Sequence, residues 1–515
     1  MDIISGVISV QTVLIFCAVP LFGYIFLSWI LRKSPKNLPP GPREWGTHWR
    51  VLKASLNGTL PELADEYARK YGPITLVPTL GPPIVLLNNT DITRKVLASD
   101  EHKFLVADRI VIAAFRLAGL NGKDMLFSKY DDIMKKKRRL FHSVIGLYGE
   151  GVTRFENVVL SELERMHADI EKTGGKDADI AGILVRSLKI IIYILALGER
   201  PEDPSIPDIL EEYDLALNRL SMPDLDFILQ YLPFIAKIPG RFQTAVDRMR
   251  AAKEKADRLI YYDHKASYKP GQPRGIADLL LEYGQKPGYE WINTDEDRVA
   301  FLTSIFLAAH LSTRCTVVGI FLCLLNYPET IKRIQEEVDL VIGSKQPRIE
   351  HKSSMPYTEA TILEGLRLIT PLPLSGFRVP SEDLQVDGMT IPKDSMVFMN
   401  NRYFLHNENI WEDPWTFKPE RFLDSEGQLL PPDHPRQKNL IVFGSGARVC
   451  PGEKFSRSRV FLFITSILQR YDLLPPETEN LAPADFQTLG GHFQGLVRLT
   501  PPFKCRLIRR EKSGN

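Results

Sequence analysis

Ten residues constrain this chain more than any others: Phe443-Gly444-Ser445-Gly446-Ala447-Arg448-Val449-Cys450-Pro451-Gly452. Glycines let the backbone turn sharply there, and a helical pattern follows from about Gly452 to Tyr471. The segment is not a phosphate cradle. A dinucleotide fingerprint counted from Gly444 needs glycine where Val449 stands, and the Gly-Lys-Ser/Thr ending of a phosphate loop is absent. What the loop does offer is a lone cysteine at the start of a helix, where free N–H groups favour a thiolate. Such a thiolate can ligate haem iron and push electron density toward O–O cleavage. Arg448, just before it, is placed to pair with a propionate.

The opposite end of the chain carries a second strong signal. Ile3 to Leu31 contains no charged residue. As a helix that run reaches ~43 Å, longer than the ~30 Å hydrocarbon core, and a kink at Pro20 is tolerable in a membrane. A cleaved leader needs a basic start and a shorter apolar region; here Asp2 precedes the run, and Arg32, Lys33 and Lys36 follow it. Residues 1–31 are therefore expected to be a transmembrane anchor, with the basic flank holding the bulk of the protein in the cytosol. Residues 32–45, with Leu38-Pro39-Pro40-Gly41-Pro42, read as a hinge, and 46–515 as one large body.

Composition removes several alternatives. The 65 basic and 63 acidic side chains leave a net charge of +2, too balanced for a nucleic-acid footprint. Five cysteines without a Cys-x-x-Cys pair exclude a disulfide scaffold and a zinc ribbon. The body reads as mainly α with small β-sheets. Helical patterns cover Leu60–Tyr71, Tyr130–Leu147, Thr153–Lys172, Ala181–Leu197, Arg241–Lys265, Asp295–Asn326, Ile331–Ile342 and Tyr357–Ile369. Ile74–Val77 and Ile84–Leu87 read as a hairpin, and Leu384–Met399 as another around Asp387-Gly388. Met222–Gly240 is too apolar for a free loop and is expected either to dip into the bilayer surface or to pack on neighbouring helices.

The pattern Phe-Gly-x-Gly-x-Arg-x-Cys-x-Gly resembles the haem-binding loop of the cytochrome P450 family. Its specified positions arise by chance in a chain this long on the order of once in a hundred thousand sequences. The resemblance implies the cytochrome P450 fold in a single large domain behind the anchor. It implies heme b with Cys450 as axial ligand, framed by Phe443 and Gly452, and Arg448 on a propionate. Glu364-Gly365-Leu366-Arg367 resembles the family's Glu-x-x-Arg, and Arg421 in Pro419-Glu420-Arg421-Phe422 its third partner, a structural brace behind the haem. Arg378 stands where the family carries a propionate-binding Arg or His. Met134-Lys135-Lys136-Lys137-Arg138 is similar to Trp-x-x-x-Arg, with Met134 replacing the aromatic and Arg138 retained. The run Lys135–Arg139 reads either as a solvated face or as the surface where an electron donor docks.

One segment departs from the family pattern. Ala308-Ala309-His310-Leu311-Ser312-Thr313 stands where Ala/Gly-Gly-x-Asp/Glu-Thr-Thr/Ser is usual, so Leu311 occupies the acid position and carries no proton. Ser312 keeps a hydroxyl and shares a helix face with Ala308; Ser312 and Thr313 are the expected catalytic residues. His310 lies about 200° around the helix from Ala308 and is read as structural, with a relay as the alternative. By resemblance, substrate is lined by Val106–Leu120 with Phe115, Ala308, Pro373, Leu374 and Phe493–Leu496, a lining suited to a flat or terpenoid lipophile. The leading expectation is monooxygenation with O2 and electrons from an NADPH–cytochrome P450 reductase at the endoplasmic reticulum membrane. The sequence resembles fungal microsomal enzymes of secondary metabolism. Two alternatives stay open: a haem-thiolate isomerase or dehydratase needing no reductase, and a non-catalytic haem sensor or carrier.

Overall fold

A computed structural model of the chain describes residues 35–79, 81–145, 150–221, 229, 238–487 and 495–511. The expected anchor, Phe493 and most of Met222–Gly240 lie outside the described residues.

Helix α1 (Leu60–Tyr71) stops at Gly72, whose φ of +93° breaks the helical path. Strands β1 (Ile74–Val77) and β2 (Ile84–Leu87) pair antiparallel with Ile74 opposite Leu87. Helix α2 (Asp132–Val144) starts where the Asp131 carboxylate accepts the Met134 N–H at 2.7 Å. Helices α3 (Glu150–Glu171), α4 (Ile180–Leu197) and α5 (Ile206–Leu220) follow. Asp179 caps α4 through the Gly182 N–H at 2.9 Å, and left-handed Gly198 ends it. The sequence patterns above include no helix at α5. Pro207 sits in the first turn, where a missing N–H costs nothing.

Helix α6 (Arg241–Asp257) continues through a wider turn at Arg258–Tyr262. Helix α7 (Asp295–Asn326) then runs 32 residues through the core, packed on α4 and on two later helices. Burial on nearly all sides explains why it lacks an apolar stripe. Both α4 and α7 are long and apolar enough to cross a membrane, but most of each lies buried in the body. Helices α8 (Pro328–Glu337) and α9 (Pro356–Ile369) precede β3 (Leu384–Val386) and β4 (Met389–Ile391). The turn between them, Asp387-Gly388, takes positive φ at both residues, the mirror-image turn that suits a tight hairpin. Strand β5 (Met396–Met399) returns parallel to β2 and completes a three-stranded sheet. Helix α10 (Glu453–Arg470) follows the cysteine loop and packs on α7 and α9; β6 (Tyr471–Leu474) and β7 (Arg506–Arg509) close the chain. The main core is continuous from Val51 to Leu507.

Candidate active site

Backbone shape decides the cysteine loop. Gly444 and Gly446 take φ of +84° and +71°, a region that costs glycine little. A Cβ on Gly446 would lie 1.6 Å from the carbonyl oxygen of Leu97, so no other residue fits. The Cys450 N–H donates to the Phe443 carbonyl at 2.8 Å and closes the loop. Solvent reaches Cys450 from one side, and its Sγ accepts a long bond, 3.4 Å, from the N–H of Gly452, the cap of α10. Placement at a helix start favours a thiolate, and the Gly452 N–H and the charges of Arg138 and Arg109 act in that direction, against burial. Protein mass on the other sides raises the thiol pKa, outweighing the Gly452 N–H and the charges of Arg138 and Arg109. One long hydrogen bond does not repay burial of an anion. A metal ion coordinated at this sulfur would favour the thiolate, since its charge deprotonates a coordinated thiol.

Four guanidinium groups gather around this loop. Arg138 on α2 donates to the Val449 carbonyl at 2.8 Å. Arg378 donates to the carbonyls of Gly376 at 2.5 Å and Arg448 at 3.2 Å. Arg448 donates to the carbonyls of Ala107 at 2.9 Å and Met125 at 3.4 Å, and also to that of Ser128. Arg109 donates to the Leu126 carbonyl at 2.6 Å, while its buried Nε has no partner. These bonds all go to neutral carbonyls. Burial and mutual repulsion therefore push Arg378 down to about 9 and Arg448 to about 10, and lower Arg109 well below the usual range. Of the run Lys135–Arg139, Lys135, Lys136 and Arg139 are exposed, but Lys137 is buried and donates to the Lys123 carbonyl.

Behind the loop, Glu364 and Arg367 on α9 form a two-pronged pair at 2.7 Å and 2.7 Å. Arg421 joins the same carboxylate at 3.2 Å, and the Lys418 N–H at 3.0 Å. Arg367 also donates to the carbonyls of Leu405 at 2.9 Å and Pro414 at 2.7 Å. These bonds tie α9 to the segments on either side of residue 410.

On α7 the exposed face is narrow. Ala308 is exposed and Ser312 half-buried, on a helix otherwise inside the core. The Ser312 hydroxyl donates to the Ala308 carbonyl at 3.1 Å, and Leu311 points into the core. Thr313, expected to act beside Ser312, is turned away. It is buried, its hydroxyl accepts from Arg459 at 2.8 Å, and it lies 3.2 Å from Ser456 Oγ on α10. A rotation of about 100° per residue carries it off the exposed face. His310 is buried with Nδ1 2.9 Å from the Asp214 carboxylate on α5. Phe115, expected in the lining, is buried. That ring meets Phe127 edge-on at 4.6 Å and belongs to an aromatic stack continuing to Phe377. Pro373 and Leu374 are buried, the Pro373 carbonyl accepting from the Arg402 N–H at 2.9 Å.

A family model described as Cytochrome P450 matches residues 39–506. The chain belongs to the cytochrome P450 family. Cytochrome P450 2J3 of Rattus norvegicus is 27% identical over 470 residues, covering 89% of this chain and 90% of that protein. Steroid 17-alpha-hydroxylase/17,20 lyase of Gallus gallus is 28% identical over 439 residues, 83% of each. A zebra fish cytochrome P450 solved with abiraterone shares the fold with a TM-score of 0.70 at 22% identity, over 88% of this chain and 100% of that one. The mainly helical P450 fold and monooxygenase class expected from the sequence hold, and the cofactor is haem on a cysteine thiolate.

The residues present fit that P450 cofactor. Clustered guanidinium groups bonded only to carbonyls are the electrostatic complement of two propionates. Three of the four stood out in the sequence. Arg109 did not; its signal is the charged pair Asp108-Arg109 inside the otherwise apolar stretch Val106–Phe115. Arg459, fully buried and holding the Ala309 carbonyl at 2.8 Å, was missed as well.

Proposed function

We propose that this P450 oxidises a lipophilic, flat or terpenoid small molecule at the endoplasmic reticulum membrane, with electrons from an NADPH–cytochrome P450 reductase. One atom of O2 enters the product and the other leaves as water, NADPH supplying two electrons. The observation that carries the reading is Cys450 on its glycine-shaped loop, ringed by Arg109, Arg138, Arg378 and Arg448. In this reading Cys450 ligates the iron and the arginines hold the propionates. Haem so held supplies oxygen activation. Ser312, the hydroxyl on the exposed face of α7, holds the water that delivers protons, and Ala308 leaves room for substrate above it. Exposed Lys135, Lys136 and Arg139, on the same helix as Arg138, form the docking surface for the reductase. The relative whose name specifies a steroid supports a flat polycyclic lipophile. Secondary-metabolite biosynthesis is the setting suggested by the resemblance to fungal microsomal enzymes. A terpene, polyketide or peptide synthase gene beside this one supports that setting, and neighbours of unrelated chemistry count against it.

Reduced protein with carbon monoxide is expected to show the red-shifted Soret band of thiolate-ligated haem. Cys450→Ala abolishes it; a variant that keeps both band and activity removes Cys450 from the iron. Leu311 favours one second reading, rearrangement or dehydration of an already oxygenated substrate, which needs no proton relay. Turnover of a hydroperoxide without reductase, and no NADPH-dependent product, selects that reading.

A further inference from the structure

A cluster of ionisable groups lies outside the haem site, where α4, α5 and α7 meet. It contains Lys189 from α4, Glu211 and Asp214 from α5, and His310 and Arg314 from α7. The side chains of Lys189, Asp214 and His310 are only 3%, 4% and 1% exposed. His310 Nδ1 stands 2.9 Å from Asp214, Lys189 Nζ 3.7 Å from Asp214 and 3.8 Å from Glu211, and Arg314 pairs with Glu211. Glu211 and Asp214, three apart, share a face of α5; His310 and Arg314, four apart, share one of α7. With a neutral imidazole the charges sum to zero. Lys189 Nζ and His310 Nε2 have no hydrogen-bond partner among the described residues, so no acceptor there stands ready for the second N–H of a protonated imidazole.

The next turn of α5 makes a second attachment. Asn218 Oδ1 accepts the N–H groups of Leu496 at 3.0 Å and Val497 at 3.2 Å. Gly495 lies so close that a Cβ would sit 1.8 Å from the Asn218 carbonyl oxygen. Helix α5 thus joins α7 at Asp214 to the 495–497 segment at Asn218.

We propose that His310 is a positioning residue: through Asp214, backed by Lys189, Glu211 and Arg314, it clamps α5 to α7 and fixes the Ala308–Ser312 face relative to the wall formed by α5 and residues 495–497. The proposal rests on the reading of Ala308 and Ser312 as the turn facing substrate and oxygen. It carries a pH signature of definite sign. Burial lowers the His310 pKa from 6.5 to about 4, so an unclamped, solvated imidazole binds a proton that the clamped one refuses. Acidification between those values therefore opens the clamp. Lys189, lowered to about 8, is charged throughout that window.

The test is amide hydrogen exchange of the haem-loaded full-length protein in detergent micelles at pH 7 and pH 5, read as protection factors for 206–220 and 306–313. Wild type is expected to lose protection in both segments roughly twentyfold between the two pH values, the ratio set by pKa values of 6.5 open and about 4 closed. His310→Gln, which keeps a bond to Asp214 but takes no charge, retains protection at pH 7 and loses the pH dependence. His310→Ala lowers protection of both segments already at pH 7. The same pH drop in His310→Gln as in wild type, or unchanged protection in His310→Ala, overturns the clamp. Because exchange does not depend on turnover, this outcome is independent of whether the enzyme uses O2 or a hydroperoxide.

Discussion

The cysteine loop and the exposed turn of α7 face each other across the site in the proposed reading, and they are built on different terms. In the loop the constraints are mostly backbone ones: two left-handed glycines, no room for a Cβ, and a closing bond from Cys450 to Phe443. On α7 the local sequence dictates only a long apolar helix. Ser312 and Thr313 are neighbours of similar chemistry, yet one lies on the exposed face and the other is held by Arg459 and Ser456. Which hydroxyl is free depends on a helix about 140 residues further along the chain. A site made from backbone shape is readable as a motif. A site made from which helix face stays uncovered is not.

That contrast breaks most directly at Gly446. Gly446→Ala places a methyl group on the Leu97 carbonyl and is expected to cost ~4 kcal/mol or more and to abolish haem loading. Normal haem content per protein, read from pyridine haemochrome, would show that the loop is more plastic than its contacts imply. Slightly smaller is Glu364→Ala. Removing the carboxylate strands Arg367 and Arg421, both buried, at a cost of about 3–5 kcal/mol in denaturant unfolding.

The contact between α3 and α10 carries its own acid sensitivity. His167 on α3 is buried against α10, with Nε2 2.7 Å from Ser466 Oγ, and burial lowers its pKa from 6.5 to about 3. The unfolded chain binds that proton first, so stability falls as pH drops through this window, by up to ~5 kcal/mol. His167→Gln flattens the stability–pH curve between pH 6 and pH 4; an unchanged slope assigns acid lability to other groups.

The sharpest form of the comparison has the smallest effect on stability. Thr313→Ala leaves the buried Arg459 short of an acceptor and is expected to cost ~1–2 kcal/mol with product per NADPH unchanged. Ser312→Ala costs less than ~1 kcal/mol but diverts electrons to hydrogen peroxide. Product formed, NADPH consumed and peroxide released separate the two. Equal coupling in both variants removes Ser312 from proton delivery.

From residue order alone, the family, the cysteine loop, the Glu364–Arg367–Arg421 brace and the span of α7 were all legible. Each rests on short-range constraints: positive φ at glycine, residues three apart on one helix face, or an unbroken apolar run ended by caps. The course of α5 was not read from the sequence; Pro207 lies in its first turn, and a proline there and one that breaks a helix look alike in sequence. Arg109 as a fourth guanidinium, Phe115 as part of an aromatic stack, Thr313 as a partner of Arg459 and Asp214 as the partner of His310 were decided only by the tertiary structure. The partners that define these residues are brought near by the packing of other elements, and burial and long-range charge leave no periodic mark on the residues that experience them.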